Sequence, residues 1–396
     1  MYSCSSNNSK LDVIATMNIL VISPGYPDRY KVHYPFVKQL VDEFARQGHH
    51  CYVVAPYSIT KNKKKYQEVE NESDNITIYR PNHFSFSNYK IGSFCPSQYF
   101  RQKAINRAFR QLLVMPNVLY CHFWECGLEG YQYAKKYGIP LFVASGESDI
   151  STLMLNKYVP TDFEKVVAGV ICVSTKNKEE SISLGLTTED KCFVMPNAVN
   201  SELFRKIDKA ECRKRLGVPE DAFIVSFVGS FIERKGPQRV ADAIQRIDGA
   251  PIFSFFIGKG SQEPVCDNIL YKGSLRHEAI PVYLNASDVF VLPTLAEGCC
   301  NAIVEAMACG LPIISSNRSF NWDVLNDSKS IMVDPCDIKQ IANAIVELKD
   351  NPELRERLSK GALETAIKLT IDQRAKSILA FIANKINSSF ARKNSF

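Results

Sequence analysis

No stretch of this sequence comes near the roughly 20 consecutive apolar residues that a membrane-spanning helix needs. The opening MYSCSSNNSKLDVIAT also lacks the apolar centre of a secretory leader. Residues 1–16 are therefore expected to form a disordered extension, with Met17 opening the first strand. Thirteen cysteines are present, yet no two form a Cys-x-x-Cys pair and their number is odd. That usage argues against a disulfide framework or a zinc site, and suits reduced thiols buried as small hydrophobes in a cytoplasmic protein. Charge of one sign is not in excess either. A net +6 over 396 residues is too mild to imply nucleic acid as a partner. Acidic residues are missing altogether from Asn75 to Trp124, a stretch that holds Arg80, Lys90, Arg101, Lys103, Arg107 and Arg110. Interleaved with them are Phe84, Phe86, Tyr89, Phe94, Tyr99, Phe100 and Phe109. The stretch reads either as a basic helix face over core aromatics or as a peripheral contact with an anionic membrane, where cations and aromatic anchors act together. No nucleic-acid motif accompanies it.

What is present is the apolar patterning of two domains, or three, for a chain of this length. In the first half, Asn18–Ser23, Cys51–Ala55, Val118–His122, Ile139–Ala144 and Gly169–Ser174 are short apolar runs of the kind that buried parallel strands show. A helix from about Tyr34 to Gln47 lies between the first two, with Phe36, Val37, Leu40, Val41 and Phe44 on one face and Gly48 closing it. This is the opening of a doubly wound α/β sheet, in which ligands gather beyond the strand C-termini. His122 falls there. A lone histidine is more often structural, but that position makes it a candidate for the site. The pattern restarts at Ala222–Gly229, so a second Rossmann-like domain is expected from residue 201. Its first turn carries Arg234, Lys235 and Gly236 ahead of a helix opened by Pro237. Singly these are solvated turn charges; together, an arginine fork and a lysine beside a helix N-terminus suit a pyrophosphate. The final helix is expected over 372–386, with a frayed polar tail after it.

The chain is organised around Pro293–Pro312, PTLAEGCCNAIVEAMACGLP. The apolar run Asp288–Pro293 precedes it as a strand, Gly298 marks the turn, and a helix begins near Asn301 and stops at Cys309-Gly310-Leu311-Pro312. Strand, loop and helix start leave backbone N–H groups and the positive end of the helix dipole facing the loop, which favours phosphate. Glu297 stands before the helix and Glu305 one turn inside it. Acids near a helix start are commonly no more than dipole partners. Glu305, however, lies among Ile303, Val304, Ala306 and Met307, where a carboxylate needs hydrogen-bond partners; sugar hydroxyls would serve.

The Glu297–seven residues–Glu305 spacing, its Glu-Gly start and its Glu-Ala-Met-Ala-Cys-Gly-Leu-Pro finish resemble the nucleotide-binding signature of retaining GT-B glycosyltransferases of family 4, also called glycosyl transferases group 1. Val228-Gly229-x(5)-Lys235-Gly236 and Cys192-Phe-Val-Met-Pro-Asn197-Ala-Val-Asn200 resemble further segments of that family. The resemblance implies a GT-B fold: an acceptor domain over 17–200 completed by 372–396, and a nucleotide-sugar donor domain over 201–371. It implies transfer of a sugar from a UDP- or GDP-sugar to a glycan or a lipid-phosphate-linked acceptor, as in polysaccharide or glycolipid assembly at the cytoplasmic membrane face, with no cofactor or metal required. His122, Glu297 and Lys235 become the implied catalytic residues. Gly25, Gly229, Arg234, Lys235, Lys259, Tyr271, Gly298, Cys299, Cys300, Asn301 and Glu305 become the implied donor contacts. Glu297 would hold the sugar's hydroxyls, Glu305 the ribose, and His122 the reacting sugar.

The match is loose at 24–35, where the family's small-residue pair is replaced by Gly25 and a longer, bulky loop. Ser230 stands where many relatives carry an arginine, and Arg234 is expected to supply that charge. Ser145-Gly146 replaces a His-Gly or Arg-Gly pair, and Ala198 and Asn200 replace the glycine and aspartate of the interdomain segment, which suggests a stiffer hinge. Two other functions share the cleft: a GT-B epimerase or phosphorylase, and a non-catalytic protein that binds nucleotide sugar or membrane.

Overall fold

The computed structural model describes residues 15–28, 34–60, 66–87, 89–92, 94–155, 157–249 and 251–393, without the side chains beyond 388. Most of the expected N-terminal extension and the last three residues of the tail lie outside the described residues. Two parallel sheets carry the architecture. The first has eight strands, in the order Cys192–Val194, Val167–Cys172, Leu141–Ser145, Val118–His122, Asn18–Ile22, His50–Val54, Ile76–Tyr79 and Val69–Ser73. Only the last pairing is antiparallel. The second has six strands, all parallel: Ile269–Gly273, Ile252–Ile257, Phe223–Val228, Val289–Leu292, Ile313–Ser316 and Ser330–Val333.

In each sheet the strand order reverses beside the first strand, and a crevice opens at such a switch point beyond the strand C-termini. In the first sheet the reversal lies between Asn18–Ile22 and Val118–His122, which places His122 at its mouth. In the second it lies between Phe223–Val228 and Val289–Leu292, which brings Gly229 and the Pro293–Gly298 loop to one edge. The expected strands and most helices are found within a residue or two of their expected bounds.

The helix Trp124–Tyr137 was not visible in the sequence, because Gly127 and Gly130 interrupt a segment of modest helix propensity. Packing explains both glycines. A Cβ on Gly127 would lie 2.8 Å from Val143, and one on Gly130 would lie 2.9 Å from the Cys121 sulfur, so the helix sits tight on its two strands only without them. The chain crosses between the sheets near 195–200 and returns near 369–371. The two crossings are tied by Val199 N–H to Leu369 O (2.8 Å) and Ile371 N–H to Val199 O (3.1 Å). A final helix, Ile371–Lys393, then covers the first sheet. Ala375, Ile378, Leu379 and Ile382, at helical spacing, are buried with Val37, Phe44, Tyr120 and Phe142. Each of the three large side chains contributes roughly 1.5–3 kcal/mol by leaving water. This helix runs past Asn387, where a frayed tail was expected, and Asn387 and Ser388 lie on its solvent face.

Candidate active site

Between the two switch points lies a cavity of about 680 Å³, a volume suited to a small-molecule ligand. The first domain lines it with Tyr34, Phe36, His122, Gly146 and Asn197. The second contributes Gly229, Ser230, Lys235, His277, Glu297, Cys299, Cys300, Asn301 and Glu305, and the returning helix adds Arg374. Eight of the expected site residues therefore meet in one place: His122, Gly229, Lys235, Glu297, Cys299, Cys300, Asn301 and Glu305.

The helix Asn301–Ala308 opens at Cys300 with no side-chain cap, so its positive end faces the cavity. Glu297, buried at the loop before it, accepts three hydrogen bonds on Oε1: from Thr294 Oγ1 (2.8 Å), Arg234 Nη1 (2.7 Å) and Lys235 Nζ (2.6 Å). Burial pulls the pKa of Lys235 down, but Cys300 and Glu297 outweigh it and leave the ammonium above its ordinary range. Glu305 accepts from His277 Nε2 at 2.9 Å, and that bond raises the histidine's pKa against the effect of burial. The partner that Glu305 required is thus a side chain of this chain, its ring tilted against Phe204 at 4.9 Å.

His122 is buried among Phe36, Tyr120 and Phe123, and its Nε2 has no hydrogen-bond partner among the described residues. Desolvation, with the charge of Arg374 nearby, lowers its pKa to about 3, so the imidazole is neutral at physiological pH. Beside it, Glu147 accepts from the backbone N–H groups of Trp124 (2.8 Å) and Gly146 (2.9 Å). Burial nevertheless pushes its pKa up to about 7. The Ser145-Gly146-Glu147 loop meets the second domain directly. A Cβ on Gly298 would lie 2.5 Å from Gly146 O and 3.0 Å from Glu147 O. Gly298 is thus a contact across the cleft and does not line the cavity.

Four other expected contacts also stand away from the cavity. Gly25 belongs to a turn pinned from behind, where Arg80 donates to the carbonyls of Tyr26 (3.2 Å) and Pro27 (2.8 Å). Tyr34, Pro35 and Phe36 form the wall in its place. Arg234 does not supply a free charge at Ser230, because its guanidinium is taken by Glu297 and the carbonyl of Ala296. Lys259 is exposed, on a turn whose glycines pack on the Gly229–Phe231 backbone. Tyr271 donates to Ser274 O (3.1 Å) and rests against Tyr283.

The acid-free stretch carries less free charge than its sequence alone suggests. Arg80 pairs with Glu70 (3.5 Å), Arg101 with Glu129 (2.6 Å) and Arg107 with Glu68 (3.0 Å), so acids outside the stretch neutralise half of its cations. Phe109 is buried and stacked on Tyr133. Phe84, Phe86, Tyr89, Phe94 and Tyr99 are each more than 40% exposed, and Lys103 sits 4.6 Å over the Tyr99 ring.

Sequence reasoning missed His277, Arg374, Glu147 and the Tyr34–Phe36 wall as site features. For His277 the signal was a titratable residue just beyond Ile269–Gly273, at the C-terminal edge of the second sheet. Arg374 gave no local signal.

Two parallel doubly wound sheets facing such a cleft define a GT-B glycosyltransferase, and the comparisons agree. Residues 36–203 match the family model described as Glycosyltransferase Family 4, and residues 208–365 match Glycosyl transferases group 1. The chain belongs to that family of glycosyltransferases. It is 25% identical over 304 residues to the D-inositol 3-phosphate glycosyltransferase of Stackebrandtia nassauensis, covering 68% of each chain. It is 29% identical over 261 residues to the UDP-Gal:alpha-D-GlcNAc-diphosphoundecaprenol alpha-1,3-galactosyltransferase of Escherichia coli, covering 60% of this chain and 67% of that one. Among solved structures, sucrose-phosphate synthase from Thermosynechococcus elongatus superposes with a TM-score of 0.77 at 18% identity, covering 94% of this chain and 100% of the other. Among the described residues no helix is long and apolar enough to cross a membrane.

Proposed function

We propose that this glycosyltransferase moves a sugar from a UDP- or GDP-sugar to a lipid-phosphate-linked or glycan acceptor, with retention at the anomeric carbon. One observation carries the reading: Lys235, an uncapped helix start, two partnered glutamates and a neutral histidine converge on one interdomain cavity from opposite switch points. The helix start and Lys235 suit a diphosphate. As the bond to the anomeric carbon breaks, negative charge grows on the leaving diphosphate, and these groups stabilise it without reorganising. The reading asks for no metal, because this positive charge fills that role. Glu305, oriented by His277, would take the ribose hydroxyls.

Glu297 would hold the sugar's hydroxyls through Oε2, its other oxygen being engaged by three donors. His122, uncharged at neutral pH, contributes position and a hydrogen bond to the sugar and no acidic proton. The acceptor's class is supported by the E. coli relative, whose name specifies a diphosphoundecaprenol substrate, and by the exposed aromatic patch.

The test is release of nucleoside diphosphate from a panel of nucleotide sugars, with and without lipid-phosphate acceptors. Release should require one donor and one acceptor together. A changed nucleotide sugar with no acceptor would indicate an epimerase, and dependence on inorganic phosphate a phosphorylase. Failure to bind any nucleotide sugar would remove the reading. Lys235→Ala and Glu297→Gln should each lower turnover by about 10²–10³, the scale of lost transition-state stabilisation. Near-normal turnover in both would remove the site assignment.

A further inference from the structure

Arg374 sits in the returning helix with 8% of its surface exposed and lines the cavity. Its Nη1 donates to the carbonyls of Met195 and Pro196, while Nε and Nη2 donate to no described residue. The other buried arginines are each paired with a carboxylate: Arg80 with Glu70 and Arg213 with Asp288. Arg374 has none among the described residues, and the titratable groups around it are Tyr120, Cys299 and His122. Burial raises the Cys299 thiol to about 12, so it brings no negative charge. A guanidinium keeps its charge at any physiological pH and is costly to desolvate without a counterion. Its neighbours are unmet as well, since His122 Nε2 and the Tyr120 hydroxyl behind it are buried without partners among the described residues. One corner of the cavity therefore collects a cation with open donors beside the unsatisfied His122 Nε2, a polar arrangement that an anionic ligand would complete.

We infer that Arg374 forms an oxyanion subsite for the donor, taking either a carboxylate on the transferred sugar or a phosphate of the leaving group. The inference rests on the transferase reading above and adds a specificity determinant carried by the helix that returns to the first domain. A planar fork with Nε and Nη2 open is suited to bidentate contact with a carboxylate or phosphate.

The test is equilibrium binding of the full chain and of Arg374→Gln to UDP, UDP-glucose and UDP-glucuronate, and to GDP, GDP-mannose and GDP-mannuronate. Arg374→Gln should weaken the anionic probe by about 10- to 100-fold, the worth of a hydrogen bond to a charged group. Loss confined to the glucuronate or mannuronate donor identifies the carboxylate as the ligand. Equal loss for the bare nucleoside diphosphates identifies the phosphate. If Arg374→Gln does not fold, Arg374→Lys keeps the charge but not the fork and should show a several-fold loss on the same probe. Affinities within twofold of wild type for every nucleotide that the wild type binds would overturn the inference and leave Arg374 a tie between helix and linker. If the wild type binds none of the six, the transferase reading itself falls and takes this inference with it.

Discussion

Burial moves two side chains at the ends of neighbouring strands in opposite directions. His122 is held at about 3 and Glu147 at about 7, both chiefly by desolvation of the charged form. A histidine with a lowered folded pKa contributes stability that is present above about 6.5 and is lost as pH falls toward 3. A carboxyl with a raised folded pKa contributes stability that is present below about 4.5 and is lost as pH rises through 7. Between pH 7 and 4.5 the two nearly cancel in the wild type. Removing either should expose the other. Urea unfolding at both pH values should show Glu147→Gln losing about 3 kcal/mol relative to wild type on acidification, and His122→Asn gaining a similar amount. Parallel pH profiles for all three proteins would contradict both shifts. The residues legible in the sequence, Lys235, Glu297 and Glu305, each sit in a strand–turn–helix unit that the local pattern marks. His277 and Arg374 come from other segments, and no local pattern announces which cavity they will enter. Arg234 was misread for a related reason. Its position beside Lys235 was visible, but the Glu297 that captures it lies across a loop.

At the scale of elements, the contact between the Pro293–Gly298 loop and the Ser145–Glu147 loop is backbone to backbone, because neither Gly298 nor Gly146 carries a side chain. Gly298→Ala would place a methyl group 2.5 Å from Gly146 O, where no flexible side chain can give way. Overpacking of this kind costs about 1–3 kcal/mol, and the thermal midpoint of Gly298→Ala should fall accordingly. An unchanged midpoint would mean that the two loops are not held together in solution. Most strands were easy to read because parallel strands buried on both faces are apolar throughout, whereas the edge pair Val69–Ser73 and Ile76–Tyr79 was not read. The helix Trp124–Tyr137 was not, because its glycines answer to Val143 and Cys121, contacts made only after folding.

At the scale of the molecule, two surfaces of unlike character divide the first domain. One faces the cleft. The other carries the exposed aromatic group, with Lys90 and Lys103 as cations outside any ion pair among the described residues. Its proposed role is contact with an anionic bilayer, to which each basic residue adds about 1 kcal/mol. Replacing Lys90 and Lys103 together by alanine should lower co-sedimentation with phosphatidylserine vesicles about 30-fold. No sedimentation of the wild type would sink the membrane role without touching the cleft. The division into two sheets was legible from the repeated strand–turn–helix pattern, and the return of the last helix followed from the resemblance.

That return also orders the protein's birth. The first sheet finishes leaving the ribosome near residue 194, but Ala375, Ile378, Leu379 and Ile382, which close one of its faces, emerge only after the entire second sheet. Throughout that interval the nascent first domain has only the helix Pro35–Arg46 to cover that face, and the ground that Ala375, Ile378, Leu379 and Ile382 will take stays open until the second sheet has been made.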